Sequence, residues 1–161
     1  MPNVADLRAA DIILSYESTF VSWLIRKVTK SQWSHVGIYD GCGNFYSAVP
    51  FKGVCKQPLP NLARKAVCRV KSLNDSQRQI VVDLCQSNLG RKYDFVQVLL
   101  VGWRIVTHRI DTNTGDPDQN KYECSEFVAE MFSKVGVYFG KIIDNVLPET
   151  IWASQLVDKL P

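Results

Sequence analysis

Cys124 stands at the start of a predicted helix, in the stretch KYECSEFVAEMF, directly after the polar loop DTNTGDPDQN (111–120). A helix start points unpaired N–H groups and the positive end of the helix dipole at such a sulfur. Both favour thiolate over thiol, and the thiolate is the nucleophile. The same N–H groups can stabilise an oxyanion on an attacked carbonyl. The other cysteines, Cys42, Cys55, Cys68 and Cys85, fall in a turn, two predicted strands and the middle of a helix. On position alone, a small buried side chain is the commoner role for a free cysteine.

A nucleophilic thiol needs a base. His35 lies in the predicted strand Trp33–Asp40, and Gly37, two residues on, shares its face. The missing side chain of Gly37 is expected to leave space beside the imidazole. The second histidine, His108, lies among Arg104, Arg109 and the polar loop, where a solvent-exposed role is expected. The five cysteines match no common zinc spacing, so neither metal nor cofactor is expected. An odd cysteine count without a secretory leader also argues against paired disulfides.

The elements that must position these residues follow from pattern. Asp11–Tyr16 reads as a buried strand. A helix capped by Ser18 or Thr19 is expected to run to about Lys30, with Phe20, Trp23, Leu24 and Val28 on one face. The turn 41–44 joins Trp33–Asp40 to a hairpin partner at Phe45–Val49. Two more strands are expected at Gly53–Gln57 and Ala66–Lys71, and Pro58-Leu59-Pro60 between them cannot belong to a central strand. Asn74 and Gln77 make a capping box for a helix that should stop near Gly90. Phe95–Val106 reads as an interior helix or, in the alternative, a strand, Glu123–Val135 as a helix ending at Gly136, and Pro148 as the first position of a last helix reaching about Val157. Strands first and helices later predict an α+β fold, an antiparallel sheet of about five strands covered by helices.

Composition bounds the function. The 161 residues, 46% hydrophobic and 22% charged, are enough for one globular domain spanning 1–161 and exclude disorder and coiled coil. A net charge of +3 with scattered basic pairs implies no nucleic-acid surface. No apolar run reaches the roughly 18 residues that a membrane span needs. Met1–Ala10 carries Asp6 and Arg8 and reads as no signal peptide, so a cytoplasmic location is expected, in a bacterium or a virus-infected cell.

Taken in order, SHVGIYDG, a hairpin return, LGRKYDF, YECSEFV and LPETIWASQL resemble the circularly permuted branch of the NlpC/P60 papain-like superfamily, in its YiiX-like group. The opening ADIILSY is similar too, with Ala10 where that group usually has glycine. The likeness spans roughly residues 10–157. It implies a permuted papain-like fold in which the histidine strand precedes the cysteine helix, with Cys124 as nucleophile and His35 as general base. The position of the third polar residue, commonly glutamate or histidine, falls on Ser47. A serine hydroxyl can accept a bond from the imidazole but supplies no negative charge. The resemblance thus implies a cysteine hydrolase acting on an amide (peptide or cell-wall type) or an ester through a thioester acyl-enzyme. The alternatives are a lipid-acting thioesterase or acyltransferase, and a non-catalytic module that keeps the cleft for a peptide, a lipid or a partner protein. Glu126 and the pair Tyr93-Asp94 are expected to cap and pack, Tyr122 to line the cleft or pack on the sheet, and Asp11 to serve its strand start.

Overall fold

A computed structural model of the chain describes residues 3–16, 22, 26–27, 31–49, 51–93, 121–122, 124–141, 143 and 146–161. In chain order these form β1 (Ile12–Ser15), β2 (His35–Tyr39), β3 (Asn44–Val49), β4 (Gly53–Pro58), β5 (Ala66–Val70), α1 (Asp75–Ser87), β6 (Lys92–Tyr93), β7 (Lys121–Tyr122), α2 (Cys124–Ser133), α3 (Pro148–Ala153) and β8 (Val157–Leu160). Among the described residues, the six longer strands make one antiparallel sheet in the order β4-β3-β2-β1-β5-β8, and β6 and β7 pair in parallel.

The α+β class is as expected, but the sheet has six strands rather than about five. The extra one is β8. The last helix does not reach Val157. It ends at Ala153, and Val157–Leu160 pairs with β5 instead, Val70 opposite Val157 and Val67 opposite Leu160. The strand state of VDKL comes from this distant partner rather than from its own pattern. The expected helices at 18–30 and 95–106 and the loop 111–120 lie wholly or largely outside the described residues.

Local chemistry explains the other boundaries. Asn74 Oδ1 accepts from the Gln77 amide (2.8 Å) and Gln77 Oε1 accepts from the Asn74 amide (3.1 Å), the reciprocal pair that starts α1. In the β2–β3 turn, Asp40 Oδ1 accepts from the Cys42 and Asn44 amides at 2.7 and 2.9 Å. Burial pushes the Asp40 carboxyl up, but the bonds from Asn44, Cys42 and Lys56 outweigh it and hold it at about 2. Pro58 ends β4, an edge strand, where a missing N–H costs no ladder bond.

The pleat divides the sheet into two faces. Ile12, Leu14, Val36, Ile38, Tyr46 and Ala48 belong to the main core, which also takes in buried side chains of α1, α2 and α3. Ile13, Tyr39, Phe45, Leu62 and Val67 form a smaller cluster on the opposite face. Helix α2 packs against β2 and β3, burying Phe127, Val128, Met131 and Phe132.

One buried ion cluster pins the start of β1. Asp11 is fully buried and takes two bonds from Arg69, from Nε at 2.8 Å and from Nη2 at 2.6 Å. It also accepts from the Arg8 amide at 2.8 Å, and Arg78 Nη1 lies 3.5 Å from its Oδ1. The expected strand-start role of Asp11 is therefore joined to a tie between β1, β5 and α1. Just before it, Ala10 holds φ +62°, a left-handed conformation that suits glycine.

Candidate functional site

Cys124 is the first residue of α2, 7% exposed, with Glu126 in the same first turn. His35 is the first residue of β2. Both lie at one end of the sheet. Val54, near the start of β4, exchanges backbone bonds with the turn before β6: its amide donates to the Arg91 carbonyl and its carbonyl accepts from the Gly90 amide, both at 2.8 Å. Strand β6 pairs with β7, which ends two residues before Cys124. Across β4, Gly53 faces Val49, and the β2–β3 register of Ile38 with Tyr46 and Tyr39 with Phe45, carried onward, sets Val49 opposite His35.

Sharing an end is not sharing a face. Cys124 belongs to the main core with Val36 and Ile38. By alternation His35 has the other parity, with Gly37 and Tyr39. It pairs directly with Ser15, and the β1–β5 register, extended by one residue from Leu14 opposite Ala66, places Lys65 next in the same row. Burial of the half-buried imidazole, reinforced by the positive charge of Lys65, lowers the His35 pKa to about 4. His35 is therefore neutral through the physiological range and able to accept a proton.

The remaining sequence candidates fall as follows. The space expected beside Gly37 is absent: a Cβ there would lie 2.6 Å from Phe45 Cδ2 and 2.7 Å from the Tyr46 carbonyl oxygen. The ring of Phe45 takes the room assigned to the imidazole. Ser47 lies on β3, fully buried, opposite Cys55 and, by the extended register, beside Gly37. Its hydroxyl has no hydrogen-bond partner among the described residues, so it does not orient His35 here. Tyr93 and Tyr122 sit in the small parallel pair, whereas His108 and Asp94 lie outside the described residues. The five cysteines, all among the described residues, form no disulfide. Burial raises the thiol of Cys68 to about 12 and that of Cys85 further, which makes both inert.

Sequence reasoning missed Lys65, Arg69 and Arg78. Arg69 alternates with buried neighbours in β5 and reads as solvent-facing, and its carboxylate partner is 58 positions away. Among the described residues, no group of three or more His, Cys, Asp or Glu side chains is placed to hold a metal ion. Nor is any helix among them long and apolar enough to cross a membrane.

The architecture is an α+β fold, one antiparallel sheet with its helices contributing to the core on one face. No protein-family model matches the chain, and no curated protein matches it. Among solved structures, the crystal structure of the metalloprotein YiiX from Escherichia coli O157:H7, which bears the label of a domain of unknown function, has the same fold. The TM-score is 0.71, with 96% of each chain covered and 19% sequence identity.

Proposed function

We propose that this chain is a thiol hydrolase of the permuted NlpC/P60 type, with Cys124 as nucleophile and His35 as general base. The observation that carries the reading is that α2 begins with Cys124 at the end of the sheet where β2 begins with His35, histidine strand before cysteine helix. The YiiX-like fold supports it.

In this reading the neutral imidazole reaches the thiol round the first residue of β2. It takes the proton from Sγ, and the sulfur attacks an amide or ester carbonyl while N–H groups at the α2 start receive the oxyanion. The imidazolium returns its proton to the leaving amine or alcohol. Water then cleaves the thioester, giving its proton to His35, which returns it to the expelled Cys124 sulfur as the acid is released. An imidazolium beside Lys65 is disfavoured, so the proton passes through His35 without resting there. YiiX is described as a metalloprotein; among the described residues of this chain no group of three or more His, Cys, Asp or Glu side chains is placed to hold a metal ion, and no step here is routed through one.

The parity of His35 and the Ser47 hydroxyl, unbonded among the described residues, favour a second reading, a binding module that keeps the fold without catalysis. One experiment separates the two: iodoacetamide alkylation of each cysteine against pH, followed by mass spectrometry, in the native protein and in His35→Gln. Fast reaction of Cys124 at neutral pH, well below the ~8.5 pKa of a free thiol, that slows in the variant supports the hydrolase. Amide, ester and lipid substrates are then screened. A Cys124 that is inert, or indifferent to His35, overturns it.

A further inference from the structure

Phe51 is 94% exposed and holds φ +65°, in the tight connection between the end of β3 at Val49 and the start of β4 at Gly53. A single apolar residue on a surface needs no explanation. This one joins near-complete exposure of an aromatic ring to a left-handed backbone that a bulky side chain rarely adopts. An outlier of that kind persists because its surroundings hold it, and it points to a use for the side chain.

The surroundings are firm. Val49 pairs with Gly53, and the Lys52 amide donates to the Val49 carbonyl at 3.1 Å. The bonds of Val54 to Gly90 and Arg91 seat the hairpin against the segment 89–92, so closely that a Cβ on Gly53 would lie 3.4 Å from Lys92 Cα. In that segment Leu89 is 37% exposed, and Lys52 and Lys92 are both exposed. None of the ion pairs among the described residues involves either lysine. Residues 41–74 and 84–93 contain no Asp or Glu, so neither segment brings an acid of its own.

From this juxtaposition we infer that the Phe51 tip is a docking point for an anionic lipid surface. The ring enters the interface between headgroups and acyl chains, where aromatic side chains are favoured. The ammonium groups of Lys52 and Lys92 meet the lipid phosphates and carboxylates. A protein partner fits less well, because a stable one covers about 800 Å² a side around a packed apolar centre. In these two segments only Leu89 accompanies the ring as an exposed large apolar side chain. A bilayer has no shape to match and accepts one projecting ring with cations beside it. The docking makes no use of the Cys124 thiol and stands whether or not that thiol is reactive.

The test is co-sedimentation of the full chain with vesicles of phosphatidylcholine alone, and of phosphatidylcholine and phosphatidylserine in roughly equal parts. The native protein is expected to bind the mixed vesicles far better than the neutral ones, and to lose that binding as salt rises. Phe51→Gly is expected to weaken it about tenfold or more, with no risk to the fold, because glycine suits the left-handed backbone. Phe51→Trp is expected to retain it. Lys52→Gln and Lys92→Gln are expected to weaken it about fivefold each. Glycerophosphoserine, the soluble headgroup, is not expected to compete. Thermal melting shows that each variant is folded. No binding, equal binding to neutral vesicles, competition by the soluble headgroup, loss of binding in Phe51→Trp, or native affinity in Phe51→Gly or in both lysine variants would each overturn the assignment. So would self-association of the native chain that Phe51→Gly abolishes, which would make a second copy the partner of the ring.

Discussion

Replacing Asp11 by asparagine keeps the shape of the side chain and removes its charge. In the native protein this fully buried carboxylate meets Arg69 through two bonds of 2.8 and 2.6 Å, and Arg78 at 3.5 Å. The Arg78 side chain is 7% exposed and that of Arg69 19%, so the variant leaves two cations poorly solvated and facing each other. Breaking a buried pair from one side costs about 3–5 kcal/mol. Asparagine retains one acceptor oxygen, which puts the expected loss near the lower end, about 3 kcal/mol. For a chain of this size that corresponds to a fall in Tm of roughly 6–12 °C. Urea unfolding of the native protein and Asp11→Asn gives the difference directly. Lys71→Ala is the control, because it removes one side of an ion pair whose partners are 51% and 65% exposed, and it is expected to cost under about 0.5 kcal/mol. An Asp11→Asn loss below about 1 kcal/mol would refute the view that this carboxylate holds β1, β5 and α1 together.

Three further outcomes are expected. The His35 pKa is about 4 in the native state, whereas an unfolded histidine titrates near 6.5. Stability attributable to this group is therefore undiminished above about pH 6.5, falls as acid is added, and reaches its full loss below pH 4; allowing for the partial exposure of His35, that loss is about 1–3 kcal/mol. Urea midpoints of native protein and His35→Gln at pH 4 and pH 7 check it: only the native protein should show this component. Gly53→Ala is expected to cost about 2–4 kcal/mol, because Gly53 holds φ +73° and a Cβ there would overlap the Arg91 carbonyl oxygen; thermal melting measures the loss, and faster amide exchange at Val54 locates it. Asn74→Ala, which removes the cap of α1, should lower stability by about 1 kcal/mol in the same urea assay.

Elements whose ends are set by neighbouring residues are legible in the sequence itself. The Asn74–Gln77 box, the turn between β2 and β3, the edge position implied by Pro58 and the start of α3 at Pro148 all depend on chemistry within a few positions. What is not legible there depends on distant partners. VDKL becomes a strand only because β5 offers an open edge, and Arg69 turns inward only because Asp11 waits there. The candidate site divides the same way. Cys124 at a helix start and a strand carrying His35 follow from local pattern, although that strand begins at His35 rather than at Trp33. The parity that separates their faces, the Lys65 charge beside the imidazole and the Phe45 ring beside Gly37 arise from strand register, which sequence spacing alone does not set.

The closure of the sheet by β8 has a kinetic consequence. Val70 and Val157 are paired although 87 positions apart, so β5 must wait for a segment that is remote along the chain. Pairings of that separation raise contact order and slow folding, because the entropy of closing the intervening chain is lost before the contact repays it. During that interval β5 presents Ala66–Val70 as an unpaired edge, with Val67 and Cys68 among its most buried residues in the finished fold. An edge of that kind is a template for the wrong strand. Docking of β8 thus covers the apolar β5 edge and leaves the short, more polar VDKL at that end of the sheet, and refolding yield should fall with protein concentration for as long as that step is incomplete.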